Sequence, residues 1–289
     1  MLGGNRYGKS GIRLVRVDRS APRHELVDLT IDVRLEGRFD DAYVSGDNAA
    51  VLPTDTMRGT VYALAGDGPV GEPEEFGRRL AAHFIHTVPS AGLATVELVA
   101  EPWARITVGG AEHDHAFTPA GGGKRTATVT RQGTEDRVVA GVTDLVVMKT
   151  AGSAFEGFLR DGFTTLDDAA ERILATAVTA RWRYRDTSVD WSEAFERARR
   201  ALVETFATHD DSNSLQHTLY AMGESLLRAC PEVEEVRMAM PNRHHLLVDL
   251  EPYGKRNDGG VFVATDRPFG VIEGVVVRPG ASPAGRAWG

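Results

Sequence analysis

The chain has 289 residues, 42% hydrophobic and 26% charged, enough for a substantial apolar core and for two domains of ordinary size. Its net charge of -8 and sequence pI near 5.6 argue against a general nucleic-acid binder, which shows a basic face. A single cysteine, Cys230, excludes an intrachain disulfide and a multi-cysteine zinc site and suits a reducing compartment.

The opening "MLGGNRYGKSGIRLV" lacks the apolar stretch of a secretory signal. "GIRLVRVDR" has strand composition but imperfect alternation. Ile12 and Leu14 share a face with Arg16 and Asp18, so either a strand partly covered on both faces or a bulge near Leu14 is expected. "HELVDLTIDVRLEG" alternates cleanly, with Val27, Leu29, Ile31 and Val33 on one side and Asp28, Thr30 and Asp32 on the other. After Pro53 the period changes. Met57, Val61 and Leu64 mark one face of a helix, with Thr54 or Asp55 as the expected cap. A second helix follows "GEPEE", with Phe76, Leu80 and Phe84 in one stripe. "LATVELVAEPWARITV" and "RTATVTRQ" read as strands.

The order then repeats. "DRVVAGVTDLVVMKTA" and "ATAVTARWRYRD" are strand patterns, and a long insertion separates them. "WSEAFERARRALVETFATH" and "SLQHTLYAMGESLLRAC" are helical, with Cys230 reading as buried filler at the end of the second. "VEEVRMAM" and "HHLLVDLE" are strands. Each half therefore runs strand, strand, helix, helix, strand, strand. This implies an α+β fold of antiparallel sheets with helices on one face; the other face has to be covered, and oligomerisation is one way. The boundary falls in "TEDR", giving units 1–136 and 137–289, with a flexible tail from about 279. No segment approaches 18 uninterrupted apolar residues, so no membrane span is expected.

Several motifs have ordinary readings. "GGGKRT" at 121–126 has Thr118 and Arg125 where a phosphate loop needs Gly and Ser or Thr, so a glycine-rich hairpin turn is expected. "HDH" places His113 and His115 on one side of an extended segment. A third metal ligand would come from His24, His83, His86 or His209, and no spacing selects one. Surface histidines are the simpler reading. No Gly-x-Ser-x-Gly elbow occurs.

Four separated polar features remain: Lys9 in "NRYGKSG", Thr54 and Asp55 in "PTDT", Phe155 and Arg172 in "FEGFLRDGFTTLDDAAERI", and Gln216, Asn242 and His244 in "NSLQHTLY" and "MPNRHHLL". Singly, each has a structural reading. Thr54 is a cap, Phe155 a core aromatic, and Arg172 a partner for Asp168 or Glu171.

Together, "RYGKSGIRLVRV", "GDNAAVLPTDTMRGTVYALA", "SAFEGFLRDGFTTLDDAAERILATAVTARWRY", "NSLQHTLYAMGESLL" and "MPNRHHLLVDL" resemble the urate oxidase (uricase) family, in the family's order, from about residue 6 to 278. The resemblance implies tandem tunnelling-fold units and four chains closing into a barrel-like tunnel, with active sites between subunits. It implies oxidation of urate by dioxygen to 5-hydroxyisourate and hydrogen peroxide, without a metal or organic cofactor.

By the same resemblance, Lys9, Thr54 and Asp55 come from one chain, and Phe155, Arg172, Leu215, Gln216, Asn242 and His244 from its neighbour. The start of the Thr54 helix would favour one edge of a planar anion. Arg172 would fork onto the opposite edge, Gln216 and the Leu215 N–H would add hydrogen bonds, and Phe155 would stack on the purine. Lys9, hydrogen-bonded to Thr54, would relay the proton. His244 would orient Lys9 or pass the proton onward. Asn242 and Thr54 would bind dioxygen, peroxide or water above the ring.

This chain departs from the family at Arg58-Gly59, where Lys-Asn is common, and it lacks a C-terminal peroxisomal tripeptide; a bacterial cytoplasm is expected. Two rival readings are a zinc-dependent pterin enzyme of the same fold and a non-catalytic purine-binding protein. The ligand supply argues against the first, and Lys9, Thr54 and His244 together argue against the second.

Overall fold

A computed structural model describes residues 1–265 and 267–289. β1 (Arg6–Asp18) and β2 (Glu25–Gly37) form an antiparallel pair. In β2, Leu29, Ile31, Val33 and Leu35 are fully buried, and the residues between them are polar or charged, as a period of two requires.

The irregular alternation of β1 does come from a bulge, but upstream of the expected Leu14. The register shifts between Lys9 and Ile12, with one extra residue on β1. Gly11 takes φ +70°, which a residue with a Cβ adopts reluctantly, and donates its N–H to Asp32 Oδ1 at 2.7 Å. The extra residue sets Lys9 opposite Val33 and Ile12 opposite Ile31, both core positions. Directly opposed residues share a face, so Lys9 emerges on the core side of the sheet.

α1 (Asp40–Val44), a short helix without an apolar stripe, leads to α2 (Thr54–Gly66) and α3 (Pro73–Thr87). β3 (Ala91–Ala100) and β6 (Lys124–Gln132) complete the first set of sheet strands. Between them, β4 (Trp103–Val108) and β5 (Ala111–Pro119) pair only with each other. The glycines at 121–123 therefore link this side hairpin to β6, instead of turning a hairpin themselves.

β7 (Glu135–Lys149), β8 (Leu174–Tyr184), α4 (Trp191–Thr208), α5 (Leu215–Ala229) and β9 (Val233–Ala239) follow in the expected order. β10 (His244–Leu247) then leaves the sheet to pair with β11 (Phe262–Thr265). The fourth sheet strand of this half is β12 (Glu273–Val277), only 5 residues long and too short to stand out by pattern.

One antiparallel sheet of eight strands results, in the order β1-β2-β3-β6-β7-β8-β9-β12. A single apolar cluster joins its inner residues to α2, α3, α4 and α5. Gly77 lets α3 lie against Leu98 and Val129, and Gly223 lets α5 lie against Val276 and Met238. The other face is polar, with Arg34 paired to Asp32 and Glu97 and Arg237 paired to Glu235.

The end of the chain lies against that polar face, in contrast to the free tail expected from its Gly/Pro/Ala composition. Ser282 donates to Glu234 Oε2 at 2.6 Å, Ala287 is fully buried, and the Trp288 ring sits 4.0 Å from the Arg237 guanidinium. Cation–π stacking and hydrogen bonding hold what composition alone leaves loose. β1 and β12 are the open edges of the sheet.

Candidate functional site

The nine candidate residues fall into two groups. In the first, Lys9 stands at the β1 bulge, partly exposed. α2 begins at Thr54, with Pro53 in the cap position and no side-chain cap bond. The expected cap by Thr54 or Asp55 is thus not made. Both lie inside the helix, and Asp55 pairs with Arg58 at 2.6 Å. The first helical bond runs from Met57 N to Pro53 O at 3.2 Å, so the N–H groups of Thr54, Asp55 and Thr56 precede it. α4 and α5 differ, because Asp190 and Ser214 accept from Glu193 N and His217 N.

The second group is assembled by three short bridges. Ser153 pairs with Ser212 in parallel, Phe155 with Ala169, and Thr176 with Asn242. The first brings the segment before Phe155 alongside the lead into α5, where Leu215 is buried and Gln216 exposed. The second folds the long insertion back, and Arg172 N donates to Ser153 O at 2.8 Å. The third places Asn242 beside β8, and Thr176 Oγ1 donates to Pro241 O at 2.9 Å. Asn242 Nδ2 and His244 Nδ1 are 3.3 Å apart. Six residues widely spread in sequence therefore share one end of the sheet.

The centre of this group is Arg172. Its guanidinium carbon lies 5.2 Å from the centre of the Phe155 ring, and its buried Nε makes no hydrogen bond. The alternative partners are otherwise engaged: Asp168 pairs with Arg160 at 3.3 Å, and Glu171 meets Ser153 N at 3.4 Å. Among the described residues no carboxylate pairs with Arg172. Burial lowers its pKa, and a guanidinium remains charged even so. A half-buried, unpaired cation beside a flat ring can hold a planar anion. Phe155 already stacks on Phe158 at 4.9 Å and 11°, which takes one of its two faces.

The two groups lie at separate places in the strand order of one chain. Lys9 is on β1 and Arg172 directly precedes β8, five strand steps away in the sheet. At roughly 4.8 Å per step, that is about 24 Å.

The other motif residues also have places. His113 and His115 rings are 4.5 Å apart, and His24 approaches His115 at 5.5 Å. Among the described residues, no three ligand side chains are arranged to hold one metal ion. Cys230 is fully buried. Sequence reasoning missed Tyr7, whose phenol reaches the approach to α2. The available signal was its position two residues before Lys9, on the same strand face.

This architecture defines an α+β protein of the tunnelling-fold type. A family profile described as Uricase matches residues 5–130 and 138–273. The uricase of Arthrobacter globiformis is 43% identical over 292 residues, covering 100% of this chain and 93% of that protein. Its crystal structure superposes with a TM-score of 0.94 at 42% identity, covering 100% of this chain and 98% of that one. The uricase of Danio rerio is 35% identical over 277 residues, covering 94% of this chain and 93% of its own. The chain belongs to the uricase family.

Proposed function

We propose that this chain is a urate oxidase acting without a metal or organic cofactor. Urate, dioxygen and water give 5-hydroxyisourate and hydrogen peroxide. Two electrons pass from urate to dioxygen, and water supplies the hydroxyl that ends on the ring. The substrate is the reductant, so the protein has to bind it, remove a proton and seat dioxygen above it. Family membership supports the reaction. The observation that carries the site reading is the unpaired Arg172 guanidinium beside Phe155.

In this reading Arg172 grips one edge of urate with two parallel hydrogen bonds. Gln216 matches a carbonyl next to an N–H, the Leu215 N–H adds a donor, and Phe155 stacks on the purine. The uncapped start of α2 meets the opposite edge through the Thr54 hydroxyl and the N–H of Asp55. Lys9 and Thr54 take the proton, His244 orients or relieves Lys9, and Asn242 with Thr54 holds dioxygen or the attacking water.

A separation of about 24 Å is wide for a purine, which supports the reading that Lys9 and Thr54 of one copy serve Arg172 of another. The open edges β1 and β12 support such an assembly, since unpaired edges invite a neighbour. A homotetramer of tandem units 1–136 and 137–289, its barrel lined by the polar sheet face, suits the geometry. The kinship with the Arthrobacter protein suits a bacterial cytoplasm.

The test mixes purified protein with urate in air, with and without chelator. Loss of urate absorbance with matching peroxide, unchanged by chelator, is the expected result. Binding of urate without peroxide would favour the purine-binding reading. Dependence on zinc would favour the pterin-enzyme reading.

A further inference from the structure

We propose that Tyr7 is a positioning residue for this site: its phenol ties the approach to Thr54 onto β1 and so sets the spacing between Thr54 and Lys9. The inference rests on the Lys9–Thr54 relay reading given above.

Tyr7 lies opposite Leu35 and Lys9 opposite Val33, so both project to the core side of the sheet. The Tyr7 phenol oxygen accepts from Leu52 N at 2.9 Å, joining β1 to a segment 45 residues further on. Leu52 is followed by Pro53, which has no N–H and a φ of -55° fixed by its ring. The Leu52 N–H is therefore the last backbone donor before Thr54, and the one residue between them is rigid. The Tyr7 ring is itself held edge-on by Phe39, at 4.8 Å and 82°, and Phe39 is buried. Burial raises the phenol pKa, which favours the neutral hydroxyl.

The geometry explains how an uncapped helix start keeps its place. The end of α2 that carries Thr54 has no side-chain cap to fix it. The strand that carries Lys9 supplies the anchor through a residue on the same face. A proton relay depends steeply on the distance between its members, so a loose Thr54 slows turnover without loosening the Arg172 grip.

The test is Tyr7→Phe in the assembled enzyme, which keeps the ring and its Phe39 contact and removes only the acceptor. kcat is expected to fall about 3- to 10-fold, with KM for urate within about 2-fold, the change expected from one lost hydrogen bond that acts on turnover. The pH profile of kcat should shift, because the relay geometry has changed. Tyr43→Phe is the matched control. Its hydroxyl donates to Arg6 O at 3.1 Å near the same strand end without reaching α2, so its kcat should be unchanged.

In a Thr54→Ala background, Tyr7→Phe should add nothing, because the two act as a unit. A kcat within about 1.5-fold of wild type with an unshifted profile, or full additivity with Thr54→Ala, would overturn the proposal. Lys9→Ala separates the two levels. If it retains full turnover, the relay reading itself fails. If it abolishes turnover while Tyr7→Phe does nothing, only the positioning role falls.

Discussion

α2 and α5 each present candidate site residues in their first turn, but they are built differently. α5 is closed before any ligand arrives. Ser214 accepts from His217 N at 3.1 Å, and the Ser212 and Thr218 hydroxyls meet at 2.6 Å. Ser153 and Ala154 then tie the segment to the stretch that carries Phe155. α2 has proline where a cap would be, and its hold comes from β1. A capping side chain commonly contributes about 1 kcal/mol, so its omission at α2 keeps free N–H groups at a cost in local stability. The contrast separates two tasks. In the proposed reading the Arg172 side is a preorganised clamp for a flat anion, and the Lys9 side leaves donors open where protons move.

The sharpest way to break this division is to disable each side separately. Lys9→Ala should lower kcat by about 10²- to 10⁴-fold, the usual worth of positioned proton transfer, and leave KM within a few-fold. Arg172→Ala should instead raise KM by roughly 10- to 100-fold, as loss of a charge-assisted pair predicts, with a smaller effect on kcat. Steady-state kinetics on urate in air reads both. If both variants lost kcat alone, the clamp and relay would not be separate.

Mixing the two variants sharpens the comparison further. If each site takes Lys9 from one chain and Arg172 from its neighbour, a paired Lys9→Ala and Arg172→Ala couple has one doubly damaged site and one intact site. At urate well below KM, where both variants are impaired, random re-association of equal amounts of the two should therefore recover about a quarter of wild-type activity, for a two-fold symmetric pair. Activity that stays at the level of the separate variants after subunit exchange would place both groups in one chain's site.

Part of this was legible in the sequence, for identifiable reasons. The alternation of Leu29, Ile31 and Val33 and the helical spacing of Met57 and Val61 are local patterns, and the fold follows them. The clustering of Phe155, Arg172, Gln216, Asn242 and His244 is not local. It depends on bridges of one residue pair each, and only the family resemblance brought those residues together. The bulge was one of two expected readings of β1 and was misplaced, because Lys9 facing the core side breaks the apolar pattern that would have located it. The cap at α2 was misread because Thr-Asp-Thr after a proline has the composition of a cap, while the backbone enters the helix one residue earlier. The fate of the C-terminal residues was hidden because Trp288 finds Arg237 across the fold, a contact that no local rule shows.

A smaller effect comes from the loop that feeds α5. His209, at the end of α4, sits 4.5 Å from the His217 ring, and Lys149 Nζ donates to its carbonyl. Burial, then the charges of His217 and Lys149, lower its pKa from 6.5, while Asp211 and Asp210 act in the opposite sense. The folded state thus resists a proton that the unfolded chain accepts. Its contribution is intact above the unfolded value and is lost as pH falls below about 6.5. A lower urea midpoint at pH 5.5 than at pH 7.5 is expected, and His209→Asn should narrow that gap. An unchanged gap in the variant would show that other groups carry the acid sensitivity.

The smallest expected change is at Gly59, inside α2. A Cβ built there meets nothing within 4 Å, and its φ is not in the left-handed region. Gly59→Ala should therefore stabilise by about 0.5–1 kcal/mol, chiefly by restricting the unfolded chain. Thermal unfolding should show a rise of about 1–3 °C. Its effect on turnover carries more meaning than the stability gain. If β1 alone sets the place of Thr54, stiffening α2 one turn downstream leaves kcat unchanged. If kcat falls while stability rises, the open start of α2 has to flex during the reaction, and the relay side differs from the clamp in mobility as well as in its missing cap.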